Sequence, residues 1–334
     1  MNQEHLLEVR NLTTAFRIRG NLFPAVRGID LHVDRTETLA LVGESGSGKS
    51  ITALSIMRLI PQPPGEIVSG QVFMKGIDLL TLPEERMRKI RGNQMAMIFQ
   101  EPMTSLNPVL TVGLQIMEAL VYHQDITAPK AKERAIEIMN QVKIPSASRR
   151  FKDYPHQFSG GQRQRVMIAM ALACRPEIIL ADEPTTALDV TIQAQILYLL
   201  AELKREYNMA MIFITHNLGI VASIADRVAV MYGGEIIEIA PVGDLFEQPR
   251  HPYTEMLLRA VPRVDLNIEK LSYIPGQVPS IDRMPPGCHY APRCALRMDL
   301  CDRQDADLIP LPGDPAHWVR CWIRGDRREI QDKP

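Results

Sequence analysis

Two adjacent acids end one apolar run of this chain, and a lysine and a serine close a glycine-rich turn after another. Residues of these types at these spacings handle phosphate and metal ions. The turn is GESGSGKS, from Gly43 through Glu44, Ser45, Gly46, Ser47, Gly48 and Lys49 to Ser50; it follows the apolar TLALV and precedes the helical pattern ITALSIMRLI. In a strand-to-helix context the glycines let backbone N–H groups curl round phosphates, Lys49 reaches the β and γ phosphates, and the Ser50 hydroxyl ligates Mg²⁺. The acids are Asp182 and Glu183, in IILADEP. Side chains alternate along a strand, so the two point differently and suit different tasks. Asp182 is expected to hold Mg²⁺ through water and Glu183 to polarise an attacking water as general base. Alone, DEP reads equally as a pair of solvated loop acids.

Three further stretches carry the same kind of chemistry. FSGGQRQRVMIAMALA, from Phe158, sets Ser159, Gly160, Gly161 and Gln162 at the start of a helix, where free amides form an anion site. ITHN places His216 after an apolar strand, where a neutral imidazole can bond a γ-phosphate or the catalytic water; a lone histidine there is also a common structural residue. MIFQEP ends a strand in Gln100, whose side-chain carbonyl can ligate Mg²⁺.

The elements that must position these residues are legible in the pattern. Short apolar runs (TLALV, MAMIF, EIILA, MAMIFIT) alternate with longer helical ones such as TIQAQILYLLAELKREYN, which predicts an α/β fold with a mostly parallel sheet flanked by helices. At 334 residues the chain exceeds one compact domain, and its composition shifts late: 13 of 25 prolines and four of five cysteines lie from Pro241 onward. A net charge of −1 and a charged fraction of 23% give no support to nucleic-acid binding. No stretch is apolar for the ~18 residues of a membrane span, so a cytosolic chain with reduced thiols is expected.

In their order and spacing, the phosphate loop, Gln100, FSGGQ, ADEP, TALD (Thr186 to Asp189) and ITHN resemble the ATP-binding subunits of ATP-binding cassette (ABC) transporters. The resemblance implies a P-loop nucleotide-binding domain over residues 1–260. Its parts would be a RecA-like core, an antiparallel β subdomain and a helical subdomain at about 101–172, whose groove near Gln100 receives a helix of a membrane subunit. It implies that ATP and Mg²⁺ bind between two cassettes packed head to tail, with Ser159 to Gln162 of one closing over the loop of the other and Asp189 nearby. Catalysis would fall to Glu183, His216 and Gln100. Phe16 would stack on adenine, though a core phenylalanine at a strand end reads the same. Phe158 and Thr186 replace a leucine and a serine usual in the family, and neither change removes a catalytic group.

EPMTSLNPVLTVG, QPRHPYTEMLLRAVP and IPGQVPS look like the peptide and nickel branch of these importers, most closely a dipeptide or oligopeptide importer subunit. That implies a second, different ATPase subunit, two membrane permeases, an external peptide-binding protein, and a peripheral location on the cytoplasmic face of the inner membrane. An oligopeptide or nickel importer is the near alternative. A soluble cassette acting on nucleic acid or ribosomes is a more distant one, as is an electron-transfer protein. None of the second cassette, coiled coil or basic stripe usual in the soluble type is present.

Residues 261–334 form a small extension containing Cys288, Cys294, Cys301 and Cys321, with five, six and nineteen residues between them. These spacings lack the short knuckles of structural zinc and suit a [4Fe-4S] cluster, which the importer resemblance also implies; Zn²⁺ and unligated thiols remain alternatives. His289 and His317 are expected at the surface and Cys174 in the core. A tail this rich in proline has little apolar pattern from which to build a core, so a metal centre is expected to staple it.

Overall fold

The computed structural model describes residues 5–186, 188–260 and 276–323. In chain order the strands are β1 (Leu7–Ile18), β2 (Asn21–Val33), β3 (Thr38–Val42), β4 (Gly65–Met74), β5 (Ile77–Asp78), β6 (Met95–Ile98), β7 (Ile178–Asp182), β8 (Ala210–Thr215), β9 (Arg227–Tyr232), β10 (Glu235–Pro241), β11 (Ile309–Leu311) and β12 (Asp314–Val319). The helices are α1 (Lys49–Ile56), α2 (Glu84–Ile90), α3 (Pro102–Ser105), α4 (Val112–Gln124), α5 (Ala128–Gln141), α6 (Ala147–Arg150), α7 (Gly160–Leu172), α8 (Val190–Tyr207), α9 (Leu218–Ile224), α10 (Val242–Glu247) and α11 (Pro252–Arg259). None among the described residues is long and apolar enough to cross a membrane.

The chain divides into two compact units, one of Met1–His32, Thr38–Leu80 and Thr215–Pro334, the other of Val33–Glu37 and Thr81–Ile214. The first unit holds a sheet ordered β2-β1-β4-β5, with β1 and β4 antiparallel, and a run of strands ordered β11-β12-β10-β9-β3. Strand β3 lies parallel to β9, pairing Leu39 with Arg227 and Val42 with Val230. All five residues of β3 are buried, which is why TLALV reads as one apolar run instead of an alternation. The second unit holds β6, β7 and β8, parallel and in register from Met95↔Ile178 and Ile178↔Ala210. Helices α3 to α7 fall within residues 101–172, joined by loops. Cys174 is buried, as its apolar surroundings in the sequence suggested.

The expected boundary at 260/261 abuts residues 261–275, outside the described residues. Beyond them the tail does not stand apart as a stapled appendage. Strand β12 pairs antiparallel with β10, Glu238 opposite Val319 and Ile239 opposite Trp318, and Tyr290, Cys288 and Cys294 pack on a core that includes Tyr232 and Tyr253. A segment without enough apolar residues for its own core therefore borrows one.

Two histidines expected at the surface are buried: His289 is 3% exposed and His317 1%. One cause is Glu238 on β10, a carboxylate that the tail covers and that needs donors; burial pushes its neighbour Glu235 up to about 8. His317 Nε2 lies 2.7 Å from Glu238 Oε1, and Glu238 also accepts from the backbone N–H of Arg250 and of His251, at 2.6 and 2.9 Å. His289 Nδ1 lies 3.2 Å from Glu235 Oε2. His251 in turn caps α11, its Nδ1 accepting from Tyr253 N at 3.0 Å. Burial lowers the His251 pKa to about 4, which keeps that nitrogen free of a proton and able to accept.

Candidate active site

The phosphate loop joins β3 to α1 in the first unit. Gly48 takes φ +104° at the N-cap of α1, with Ala25 O only 2.9 Å from where a Cβ would stand, so the turn into the helix admits only glycine there. Lys49 is 5% exposed, and its ammonium closes the loop on itself, donating to Gly43 O at 2.8 Å, Glu44 O at 2.9 Å and Ser47 Oγ at 3.4 Å. Ser45 and Gly46 are exposed at the tip, and Ser50 sits one residue into the helix. A loop with its amides presented at a helix N-terminus and a buried cation beneath is a ready-made site for a polyphosphate. Phe16, near the end of β1, is half-buried and pairs with Gly65 of β4; a Cβ on Gly65 would stand 2.9 Å from the Phe16 ring. His216 is exposed, following β8, beside Asn217, whose side chain caps α9 by accepting from Gly219 N at 3.0 Å.

In the second unit the strand ends between the two acids, so it is the turn after β7, not strand alternation, that sets Glu183 apart from Asp182. Asp182, the last residue of β7, is buried at 5% exposure. Glu183 leaves the strand with φ +43°, an uncommon conformation for a non-glycine residue, held by its N–H bonding Ile214 O at 3.0 Å. That turn aims its carboxylate at two donors: Gln100 Nε2 at 3.1 Å and Thr186 Oγ1 at 2.8 Å, both to Oε2. The general-base candidate is thus oriented by Gln100, from the end of β6, and by Thr186, three residues further along its own turn. Thr186 went unrecognised as a partner from sequence because its position was legible only as a variant of a motif.

Ser159 and Gln162 cap α7 reciprocally: Gln162 N donates to Ser159 Oγ at 3.4 Å, and Ser159 N to Gln162 Oε1 at 3.2 Å. Arg150, absent from the sequence reading, also donates to Gln162 Oε1 at 2.8 Å, and its guanidinium lies 4.4 Å from the Phe158 ring centroid. Phe158 is buried, so the exchange of leucine for phenylalanine is absorbed by the core and by that stacked cation. Asp189 caps α8, accepting from Ile192 N at 2.9 Å.

The two glycines of this turn are not equivalent. A Cβ on Gly161 would meet Ile192 Cγ2 of α8 at 2.6 Å, whereas one on Gly160 meets only Leu188 Cδ2 at 3.8 Å. A methyl on the branch point of isoleucine cannot swing aside as a long side chain does. Gly161→Ala should destabilise the chain by about 1–3 kcal/mol, with Gly160→Ala near neutral in thermal unfolding. Ile192→Ala in the Gly161→Ala background should restore the midpoint; no restoration would refute the steric account.

The structure gathers the four late cysteines. Cys288 N donates to Cys301 O at 2.8 Å, Cys301 is buried, and Cys288, Cys294 and Cys321 are half-buried. Burial pushes the Cys288 thiol up to about 12, with the nearby Asp305 and then Cys301 adding to it. Cys294 is raised by burial and by Cys321 and Cys301. Among the described residues no three of these cysteines bring their Sγ atoms within 4.8 Å of one another.

Residues 26–186 match the ABC transporter family, and residues 237–301 match the C-terminal region of oligopeptide/dipeptide transporters. The chain is 52% identical to the oligopeptide transport ATP-binding protein AppD of Bacillus subtilis, over 95% of this chain and 96% of that one. It is 49% identical to the dipeptide transport ATP-binding protein DppD of the same organism, over 98% and 97%. Among solved structures it resembles the ATP-binding cassette MJ0796, a dimer in a post-hydrolysis state bound to ADP and Pi, with a TM-score of 0.64, 28% identity and coverage of 71% of this chain and 98% of that one.

Proposed function

The chain belongs to the ATP-binding proteins of the oligopeptide and dipeptide ABC transporters, and on that premise we propose that it hydrolyses ATP to drive import of peptides, dipeptides foremost, through a complex at the cytoplasmic face of the inner membrane. The observation that carries this reading is the presence, in one chain, of a phosphate loop closed over its own lysine and a C-terminal region matching peptide transporters. In this reading residues 1–260 are the nucleotide-binding domain and 261–334 the extension. ATP lies on the loop with its adenine at Phe16. Ser50, Gln100 and Asp182 are the Mg²⁺ ligands, and Glu183 and His216 are the groups that activate water. Ser159 to Gln162 and Asp189 act across a dimer with a second, different ATPase subunit. Two permeases and an external peptide-binding protein complete the machine.

Exposed apolar side chains around Gln100 support permease docking: Phe99, Met103, Val109, Leu110 and Leu114 face solvent, Val109 at 75% and Met103 at 65%. The chain alone should hydrolyse ATP slowly, and coexpression with its partner ATPase and permeases in lipid nanodiscs should raise the rate, further so with peptide-loaded binding protein. Full activity of a strictly monomeric preparation, or stimulation by nucleic acid in place of the membrane complex, would overturn the reading. Nickel-dependent instead of peptide-dependent stimulation would move the substrate to the neighbouring branch.

We infer that Cys288, Cys294, Cys301 and Cys321 hold a [4Fe-4S] centre, because their spacings lack the short knuckles of structural zinc; Zn²⁺ is the alternative. Anaerobic purification should yield about four irons and four labile sulfides per chain. Zinc without sulfide would replace that assignment.

A further inference from the structure

The cysteine-bearing segment reaches the phosphate loop by two routes. Arg293, immediately before Cys294, donates through Nη1 to Glu44 Oε2 at 3.1 Å, and its side chain is only 6% exposed. His289, immediately after Cys288, engages Gly233 O through Nδ1 at 2.9 Å, and the neighbouring Gly234 N donates to Ser47 O at 3.0 Å. Both routes leave from residues flanking a thiol and end inside GESGSGKS.

Glu44 is where the stronger grip falls. Its N–H donates to the Tyr253 hydroxyl at 2.9 Å, its carbonyl accepts from Lys49 at 2.9 Å, and its carboxylate accepts from Arg293. A carboxylate in a loop that must receive a polyphosphate repels its own ligand unless it is neutralised and held in place. Arg293 is fixed for that task. Its Nη1 also donates to Tyr232 OH at 3.3 Å, and its guanidinium lies 5.7 and 6.0 Å from the Tyr232 and Tyr290 ring centroids. Those rings and Tyr253 form a three-way edge cluster with centroids 4.8 to 5.3 Å apart, one tyrosine from the end of β9, one from the start of α11 and one from between Cys288 and Cys294. A cage of rigid rings ties the place of Arg293 to the place of the cysteine segment.

We propose that Arg293 is a positioning residue for ATP: through Glu44 the cysteine-bearing segment clamps the phosphate loop, so the loop's nucleotide affinity depends on that segment being seated. The proposal rests on the loop being the ATP site, and goes beyond it by giving the tail a part in nucleotide binding.

The test measures the Kd for ATP on the full chain, and KM and kcat in the assembled complex, for Arg293→Ala, Arg293→Lys, Tyr253→Phe and Glu44→Ala. Arg293→Ala should raise Kd and KM about tenfold, the loss of one charged hydrogen bond, with kcat nearly unchanged and the tail's protease resistance and metal content intact. Arg293→Lys should recover part of the affinity. Tyr253→Phe, which keeps the ring cage and removes only the acceptor of the Glu44 N–H, should shift Kd in the same direction and tests the clamp even if Arg293→Ala unseats the tail. In the Glu44→Ala background Arg293→Ala should have no further effect. Unchanged Kd in both Arg293→Ala and Tyr253→Phe, or losses that multiply in the double variant, would overturn the clamp. ATP binding that survives Lys49→Ala would sink the loop assignment itself, a failure distinguishable from the others.

Discussion

Glu183→Gln should leave ATP binding intact and slow hydrolysis at this site by on the order of 10²- to 10⁴-fold, the contribution of a positioned general base. The geometry makes the substitution a clean one. The carboxylate accepts from Gln100 and Thr186 through one oxygen, so a glutamine carbonyl turned to that side keeps both bonds and the φ +43° turn that aims the side chain. What it loses is basicity alone. ATP-bound, closed complexes should accumulate, because nucleotide contacts on the loop are untouched. Single-turnover hydrolysis restricted to this site decides the matter, since a partner subunit retains its own. A rate near that of the unaltered chain would remove Glu183 from the role.

Lys49→Ala is expected to abolish the site by a different route. The ammonium bonds two loop carbonyls, Gly43 O and Glu44 O, and is the buried cation beneath the place of the phosphates. Removing it strips charge from the ligand site and leaves loop carbonyls without their donor. With charged hydrogen bonds worth about 1.5–3 kcal/mol each, ATP affinity should fall roughly 10²- to 10³-fold. Equilibrium dialysis on the purified chain measures this directly, with thermal unfolding as the check that the fold survives. An affinity reduced by less than about threefold would count against the loop as the ATP site.

The two substitutions separate binding from chemistry. Lys49→Ala should lose nucleotide, whereas Glu183→Gln should hold it and fail to turn it over. Gly161→Ala acts on neither group and should be felt through the packing of α7 on α8, which is why a second substitution at Ile192 can relieve it.

The residues of the chain by themselves determined those parts of the protein in which chemistry is local. The phosphate loop is eight consecutive residues whose glycine, lysine and serine spacing carries its own meaning, and the buried strands TLALV and IILAD announce themselves as unbroken apolar runs. Ser159 and Gln162 could be placed at a helix start because capping operates over three residues. Only the tertiary structure decided which side chains meet across the chain. Gln100 reaches Glu183 over a separation of 83 residues, and Arg293 reaches Glu44 over 249. Such pairs leave no period or spacing to read, because the register that joins them is set by sheet order and core packing. The same holds for burial in the tail. His289 and His317 sit in a proline-rich, polar stretch that reads as surface, and they are buried because the tail packs on β10, where His317 meets the buried Glu238 and His289 lies beside Glu235.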